Sequence, residues 1–157
     1  MIPGHQKEKK VDPLISVSQA HNKIFEMSNM YEKLLQGVSF IDVAGYVNTL
    51  SKLFKESIIP HFDFEENRIF PAALASRDPK IRSLVTRIQD DHDRLLAKLT
   101  QLNGQKINLG DFSKVTQKEK NELLSSCTAL TRELTSHAQY EDTEFYPLIS
   151  GVIFKMD

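Results

Sequence analysis

HFDFEENRIFP at residues 61–71 and HAQYEDTEFYP at residues 137–147 are two copies of one pattern, 76 residues apart. Both copies begin with His, place Glu four residues later and end in Pro, and the aromatic and acidic positions between also correspond. His21 and His92 precede the two copies and lie 71 residues apart, in the contexts His-Asn-Lys-Ile and His-Asp-Arg-Leu. We therefore interpret the chain as two similar helix hairpins, each supplying a His and then a His-x-x-x-Glu pair.

The first hairpin is predicted from apolar residues that recur at three- and four-residue spacing. Its first helix covers residues 17–35 and is ended by Gly37. Ser39 and Asp42 have the spacing of a capping box, so a second helix is expected to follow them and to run toward Glu66.

Prolines predict where the second helix ends and where the third begins. Phe70-Pro71 is expected to stop or break the second helix, with a short continuation over residues 72–76. Asp78-Pro79 supplies an N-cap and a first-turn residue for the third helix. That helix is expected to end near Asn103-Gly104 and to be followed by a loop.

Thr116 and Glu119 again have capping-box spacing, so the fourth helix is expected to begin there. Phe145, Tyr146 and Pro147 are expected to close it. No segment alternates as a strand would, so the predicted fold is all-α, an antiparallel up-down-up-down four-helix bundle.

The composition is that of one globular domain and argues against several classes of protein. The chain has 157 residues, of which 40% are hydrophobic and 26% charged, and we divide it into an N-terminal arm (1–14) and a domain (15–157). A net charge of −1 gives no electrostatic reason to expect nucleic acid or an anionic membrane as a partner. Cys127 is the only cysteine, which excludes an internal disulfide and a cysteine-based zinc site and favours a reducing, cytoplasmic location.

Four of the five histidines lie on the apolar faces of the predicted helices. His21 comes four residues after Val17 and three before Ile24, so it is expected to face inward, and His92 has the same placement on the third helix. His5 lies in the predicted arm and is given no role. A single buried histidine is more often a packing residue than a ligand, so these positions alone do not establish a site.

The two His-x-x-x-Glu pairs of the repeat are stronger evidence for a metal site. His61 and Glu65 share the inward face of the second helix one turn apart, and His137 and Glu141 do the same on the fourth. Burying two carboxylates together is costly unless a cation compensates them. Imidazoles and carboxylates are the ligands that suit iron, manganese or zinc inside a bundle. The repeated set predicts six metal ligands: His21, His61, Glu65, His92, His137 and Glu141.

This ordered set, with each His-x-x-x-Glu pair followed by an aromatic-Pro step, resembles the hemerythrin-like HHE cation-binding domain over about residues 12–150. The resemblance implies a non-haem di-iron centre in which Glu65 and Glu141 bridge the two iron ions and an oxo or hydroxo group completes the bridge. It also implies O2, NO or a related oxidant as the small ligand that the protein binds or senses.

The sequence departs from oxygen-carrying hemerythrins in one respect. Those proteins have a further histidine in a His-x-x-x-His pair on the third helix, whereas Leu96 stands four residues after His92. Their fourth-helix carboxylate is an Asp at a different spacing. Reversible oxygen transport is therefore not the expected role, and the more symmetric ligand set resembles HHE sensors and iron-handling proteins.

Two other functions stay open at this stage. The first is iron handling or repair of damaged iron centres, although the cysteine-containing module of HHE repair proteins is not found in this sequence. The second is a metal-gated bundle whose outer face binds another protein. No phosphate-binding loop, protease motif or paired nucleophile and base occurs, so no enzymatic activity is predicted.

Several residues near the ligands have two interpretations. Pro60 is expected to kink the second helix beside His61. Glu66 and Asp142 are expected to face solvent, with contact to a ligand histidine on a neighbouring helix as the alternative. Tyr31 is expected to pack in the core, with hydrogen bonding to a bound oxygen species as the alternative.

Overall fold

The computed structural model describes residues 13–38 and 42–153, and its regular structure in those ranges is entirely helical. Four long stretches make up the fold: α1 is Pro13–Leu35, α2 covers 43–74, α3 is Pro79–Leu109 and α4 covers 117–153. A short 3-10 turn, Phe112–Lys114, lies between α3 and α4.

Along two pairs of neighbouring helices, residue numbers rise on one helix as they fall on the other, so these helices are antiparallel. Along α1 and α4, His21 contacts Glu141 whereas Tyr31 contacts Leu124. Contacts between α3 and α4 follow the same order, from Asp91–His137 to Lys98–Glu133. The predicted all-α four-helix bundle is confirmed.

Capping side chains fix most of the helix boundaries. Gly37 adopts φ 74° after α1, and the amides of Gly37 and Val38 donate to the carbonyls of Leu34 and Lys33, which is a Schellman motif. Asp42 caps α2 by accepting from the amide of Gly45, whereas Ser39 lies outside the described residues.

The later helices begin as the sequence predicts. Asp78 caps α3 by accepting from the amide of Lys80. Thr116 and Glu119 form the predicted capping box at the start of α4.

Three prolines, Pro60, Pro71 and Pro147, lie inside continuous helix, and two of them correct a predicted helix boundary. Pro71 does not stop α2, which continues to Leu74, and Pro147 does not close α4, which continues to Ile153. Each of the three follows a five-residue wide turn of π geometry; these turns are Phe54–Ile58, Glu65–Ile69 and Glu141–Phe145.

The wide turns explain how the helices tolerate proline. The residue just before each proline donates its amide to the carbonyl five residues back, as Phe70 does to Glu65 and Tyr146 to Glu141. The extra residue in the turn leaves space where the proline ring would otherwise meet a carbonyl. The helix therefore continues past the ring, and the kink expected at Pro60 takes the form of a widened turn ending in the amide of Ile59.

Two further boundaries differ from the prediction. Helix α3 passes through Gly104 and ends at Leu109, followed by Gly110 with φ 62°. Pro13 and Leu14, assigned to the arm, belong to α1, whereas residues 1–12, including His5, lie outside the described ranges.

The interior consists of two apolar clusters with polar residues between them. The larger cluster contains Ile24, Leu95 and Leu134, and the smaller contains Val17 and Ile88. On α1 and α3 a buried histidine, His21 or His92, lies between a residue of the smaller cluster and a residue of the larger one. The described part of the chain contains no helix that is both long and apolar enough to cross a bilayer.

The larger cluster also contains a buried hydroxyl network that is structural. Tyr46 contacts Thr131 at 2.8 Å between hydroxyl oxygens, and the Tyr31 hydroxyl donates to the carbonyl of Leu124 at 2.9 Å. Tyr31 is thus a core residue, as expected, and its hydroxyl is bonded to the α4 backbone, which argues against the alternative role as a donor to a bound oxygen species. Burial raises the pKa of both phenols.

We expect Tyr46→Phe to lower the free energy of unfolding by about 1–3 kcal/mol, because it leaves the buried Thr131 hydroxyl without its tyrosine partner. Urea denaturation followed by circular dichroism measures this change. Tyr140→Phe is the control, since the Tyr140 hydroxyl makes no hydrogen bond among the described residues. Equal stability of the two variants would contradict the role given to the Tyr46 hydroxyl.

Candidate metal centre

The four helices bring all six predicted ligands to one place in the bundle. Each helix contributes one histidine, and α2 and α4 add a glutamate one turn later; every one of these side chains is buried. His21 and His61 lie with ring centroids 5.1 Å apart, and His92 and His137 lie 5.0 Å apart. The histidines thus form two pairs, as expected from two similar hairpins.

The ligand atoms fall into two groups that share one carboxylate. Glu65, His92, His137 and Glu141 each offer an atom within 4.8 Å of the others, and so do His21, His61 and Glu141. Nitrogen and oxygen ligands gathered at this spacing can converge on a metal ion. Each group therefore gathers ligand atoms of the kind that suit a cation.

Glu141 faces both groups with different oxygens. Its Oε1 lies 2.9 Å from Nε2 of His21 and 3.7 Å from Nε2 of His61. Its Oε2 lies 3.5 Å from Nε2 of His137 and 4.0 Å from Nε2 of His92. A carboxylate in this position can bind two ions, one through each oxygen.

Glu65 also reaches both groups, but through a single oxygen. Its Oε1 lies 3.2 Å from Nε2 of His61 and 3.1 Å from Nε2 of His92. Its Oε2 accepts a hydrogen bond from the buried hydroxyl of Tyr146. The internal repeat predicts two equivalent glutamates, whereas the structure gives them different surroundings.

Several of these buried atoms have no hydrogen-bond partner among the described residues. They are Nε2 of His61, His92 and His137, Oε1 of Glu65 and Oε2 of Glu141. Unsatisfied polar atoms are costly in a protein interior, and five in one place are unusual. A cation fits this donor set, because it would satisfy the imidazole and carboxylate atoms together.

The outer nitrogens of three histidines contact carboxylates near the bundle surface. Nδ1 of His21 lies 2.7 Å from Asp142, and Nδ1 of His92 lies 3.3 Å from Glu66. The solvent-facing interpretation of Asp142 and Glu66 is therefore incomplete, since both hold a ligand histidine from a neighbouring helix. Such contacts fix the tautomer and orientation of a metal-binding imidazole.

Asp91 makes the third contact of this kind, 3.3 Å from Nδ1 of His137, and the sequence analysis did not identify it. It directly precedes His92, but its partner is on another helix. Only the packing of α3 against α4 reveals this role.

The two histidines of the first pair, His21 and His61, have pKa values shifted in opposite directions. Burial favours the neutral form of His21, but hydrogen bonds to Asp142 and Glu141 outweigh it and raise its pKa to about 10. His61 has no such partner, and burial lowers its pKa to about 4.

The two glutamates also differ. Burial, reinforced by the nearby Glu141, raises the pKa of Glu65. Burial has the same tendency at Glu141, but its interactions with Glu65 and His21 lower its pKa. These shifts favour the protonated forms of Glu65 and His21 in the metal-free centre, and a metal would compete with those protons.

Family comparison agrees with this geometry. A model of the hemerythrin HHE cation-binding domain matches residues 13–149, which is most of the chain and includes all six residues of the cluster. The chain belongs to this family. Comparisons with curated proteins and with solved structures gave no match. This chain is therefore a cation-binding HHE domain, and its buried His and Glu cluster provides suitable ligands.

The two halves of this HHE domain differ around the ligands. Tyr146 corresponds to Phe70 in the repeat, so only Glu65 has a tyrosine as hydrogen-bond donor. Phe62 stacks on His92 with centroids 3.8 Å apart, whereas Ala138 stands at its equivalent position. The two groups of ligand atoms therefore have unequal surroundings.

We expect the metal-free HHE domain to lose stability on both sides of about pH 6.5. His21 has a folded pKa near 10, above its ordinary 6.5, so its stabilisation is complete below pH 6.5 and is lost as pH rises toward 10. His61 has a folded pKa near 4, so its stabilisation is complete above pH 6.5 and is lost as pH falls toward 4.

Urea denaturation in the presence of a chelator, between pH 4 and 10, measures this profile. His21→Asn should reduce the alkaline loss, and His61→Asn should reduce the acidic loss. Variants whose profiles keep the wild-type shape would contradict the assignment.

Tyr146→Phe should lower the unfolding free energy of the metal-free protein by about 1.5–3 kcal/mol, because a hydrogen bond to a buried carboxyl group is lost. A double-mutant cycle with Glu65→Leu, which removes the acceptor oxygens, isolates this pair from other effects of the substitutions. A coupling energy below about 0.5 kcal/mol would show that the Tyr146–Glu65 contact contributes nothing specific.

Proposed function

We propose that this HHE domain is a non-haem di-iron protein that binds or senses O2, NO or a related oxidant in the cytoplasm. The observation that carries the proposal is the sharing of Glu141 between two groups of buried ligand atoms. A shared carboxylate is the element that holds two metal ions at short distance in a helix bundle.

The ligand set supports iron and leaves space for a small molecule. The group around His92 offers two imidazoles and two carboxylates, and the group around His21 offers two imidazoles and the shared carboxylate. An iron ion with three or four protein ligands keeps open positions, where a diatomic molecule can bind. When bound, iron would supply reversible one-electron chemistry.

The protein's own residues have three roles in this proposal. Glu65 and Glu141 hold the ions together, and the four histidines complete the two ligand sets. Asp142, Glu66 and Asp91 orient three of the imidazoles through their Nδ1 atoms. The apolar clusters on both sides limit the access of water, which suits sensing of a small neutral molecule better than turnover of a large substrate.

We expect anaerobic reconstitution with ferrous iron to give two iron ions per chain, measured by metal analysis after desalting. Addition of NO should then change the absorption spectrum, and exposure to air should produce the near-ultraviolet absorption of an oxo-bridged ferric pair. Failure to bind iron, or the absence of any spectral response, would contradict the proposal.

Neighbouring residues on α4 provide a matched pair of variants. Glu141→Ala removes a ligand from both groups, so the iron content should fall to one ion per chain or fewer. Asp142→Ala removes only the outer contact of His21, so two ions should still bind, about 10-fold or more weakly. Full iron content in Glu141→Ala would show that this carboxylate does not join the two ions.

A further inference from the structure

A groove of about 320 Å³ lies between α3 and α4 and ends on His137. Three arginines line it, Arg87 and Arg94 from α3 and Arg132 from α4. All three side chains are exposed and line the groove, so a ligand that enters it can reach them. The metal ligands described above do not use these arginines.

The internal repeat provides a comparison within the same molecule. An equivalent groove of about 270 Å³ lies between α1 and α2 and ends on His61. At the positions of the three arginines it has Ser16, Lys23 and Glu56. The repeat therefore produces a groove in both halves, whereas the arginines are specific to the groove beside His137.

Two of the three arginines make only weak interactions with other side chains. Arg87 forms no ion pair among the described residues, and its guanidinium carbon lies 3.9 Å from the centroid of the Tyr140 ring. Arg132 reaches Glu32 at 3.5 Å, between two side chains that are both exposed. An exposed pair of this kind is worth little, so an incoming anion can replace it.

The cationic surface continues along α3. A second, adjoining pocket shares Arg87 and Arg94 with the groove and adds Arg82 and the hydroxyl groups of Ser83 and Thr86. Arginine forks bind carboxylate and phosphate groups through paired hydrogen bonds. Asp91 and Glu133 also line the groove, but both pair with Arg94, so Arg87 and Arg132 are the cations available to a small anion.

We propose that the groove beside His137, lined by Arg87, Arg94 and Arg132, binds a small anion that carries carboxylate or phosphate groups. Arg87 and Arg132 provide the charge, and the hydroxyls of Ser136 and Tyr140 are further donors on the wall of the groove.

The groove is also connected to the metal centre. Arg94 contacts Asp91 at 2.6 Å, and Asp91 in turn contacts Nδ1 of His137 at 3.3 Å. An anion that draws Arg94 away leaves Asp91 to interact with His137 alone, which makes the imidazole a stronger metal ligand. Anion and metal therefore favour each other's binding, and this second step rests on the proposed metal function.

Calorimetric titration of the metal-free protein with succinate, and separately with inorganic phosphate, tests the site at low ionic strength. At least one probe should bind saturably to one site per chain, and the tighter probe identifies the anionic group. Arg87→Gln and Arg132→Gln should each weaken binding about 10-fold, whereas Lys23→Gln, in the equivalent groove, should leave the affinity unchanged.

Thermal unfolding of each variant shows that the fold is retained. Two results would overturn the proposal: no saturable binding of either probe, or equal weakening by Lys23→Gln. These measurements require no metal, so they stand apart from any failure of iron to bind.

Repeating the titration with metal-loaded protein measures the coupling. The anion should bind several-fold more tightly than to the metal-free protein, and Asp91→Asn should reduce this ratio. An equal affinity in the two forms, or an unchanged ratio in Asp91→Asn, would overturn the connection through Asp91.

Discussion

Burial of two carboxylates side by side is the constraint on which this structure depends. Glu65 and Glu141 are both fully buried, and their oxygens face four imidazoles. Leaving such groups uncompensated would cost several kcal/mol, in a domain whose whole stability is about 5–15 kcal/mol. Without metal, protons on Glu65 and His21 neutralise part of the charge. The same atoms are suited to a cation, so the groups that are hardest to bury are those that metal binding would satisfy.

The surrounding structure supports this centre in layers. Apolar clusters pack above and below it, and carboxylates nearer the surface hold the outer nitrogens of three histidines. The internal repeat makes the ligand set symmetric, but it does not make the surroundings symmetric. Tyr146, Phe62 and Asp91 each have a chemically different residue at the equivalent position. These differences give each group of ligand atoms, and each groove, its own chemical surroundings.

Most of the fold could be predicted because its signals are local. Periodic apolar residues predicted the four helices, and Asp78 and Thr116 predicted the starts of α3 and α4. The errors came from proline and glycine, which the sequence analysis took as helix ends. In the structure a wide turn accommodates Pro71 and Pro147, and α3 passes through Gly104 because tertiary packing outweighs the propensity of one residue.

The sequence by itself determined which side chains the centre contains. The spacing of each His-x-x-x-Glu pair places both groups on one inward face, and the repetition of that set distinguishes it from isolated core histidines. The tertiary structure alone decided which atoms meet across helices. It showed that Glu141 faces both groups, that Tyr146 binds Glu65, and that Asp91 connects Arg94 to His137. The physical reason is that helical spacing fixes neighbours within a helix, whereas contacts between helices depend on how all four pack together.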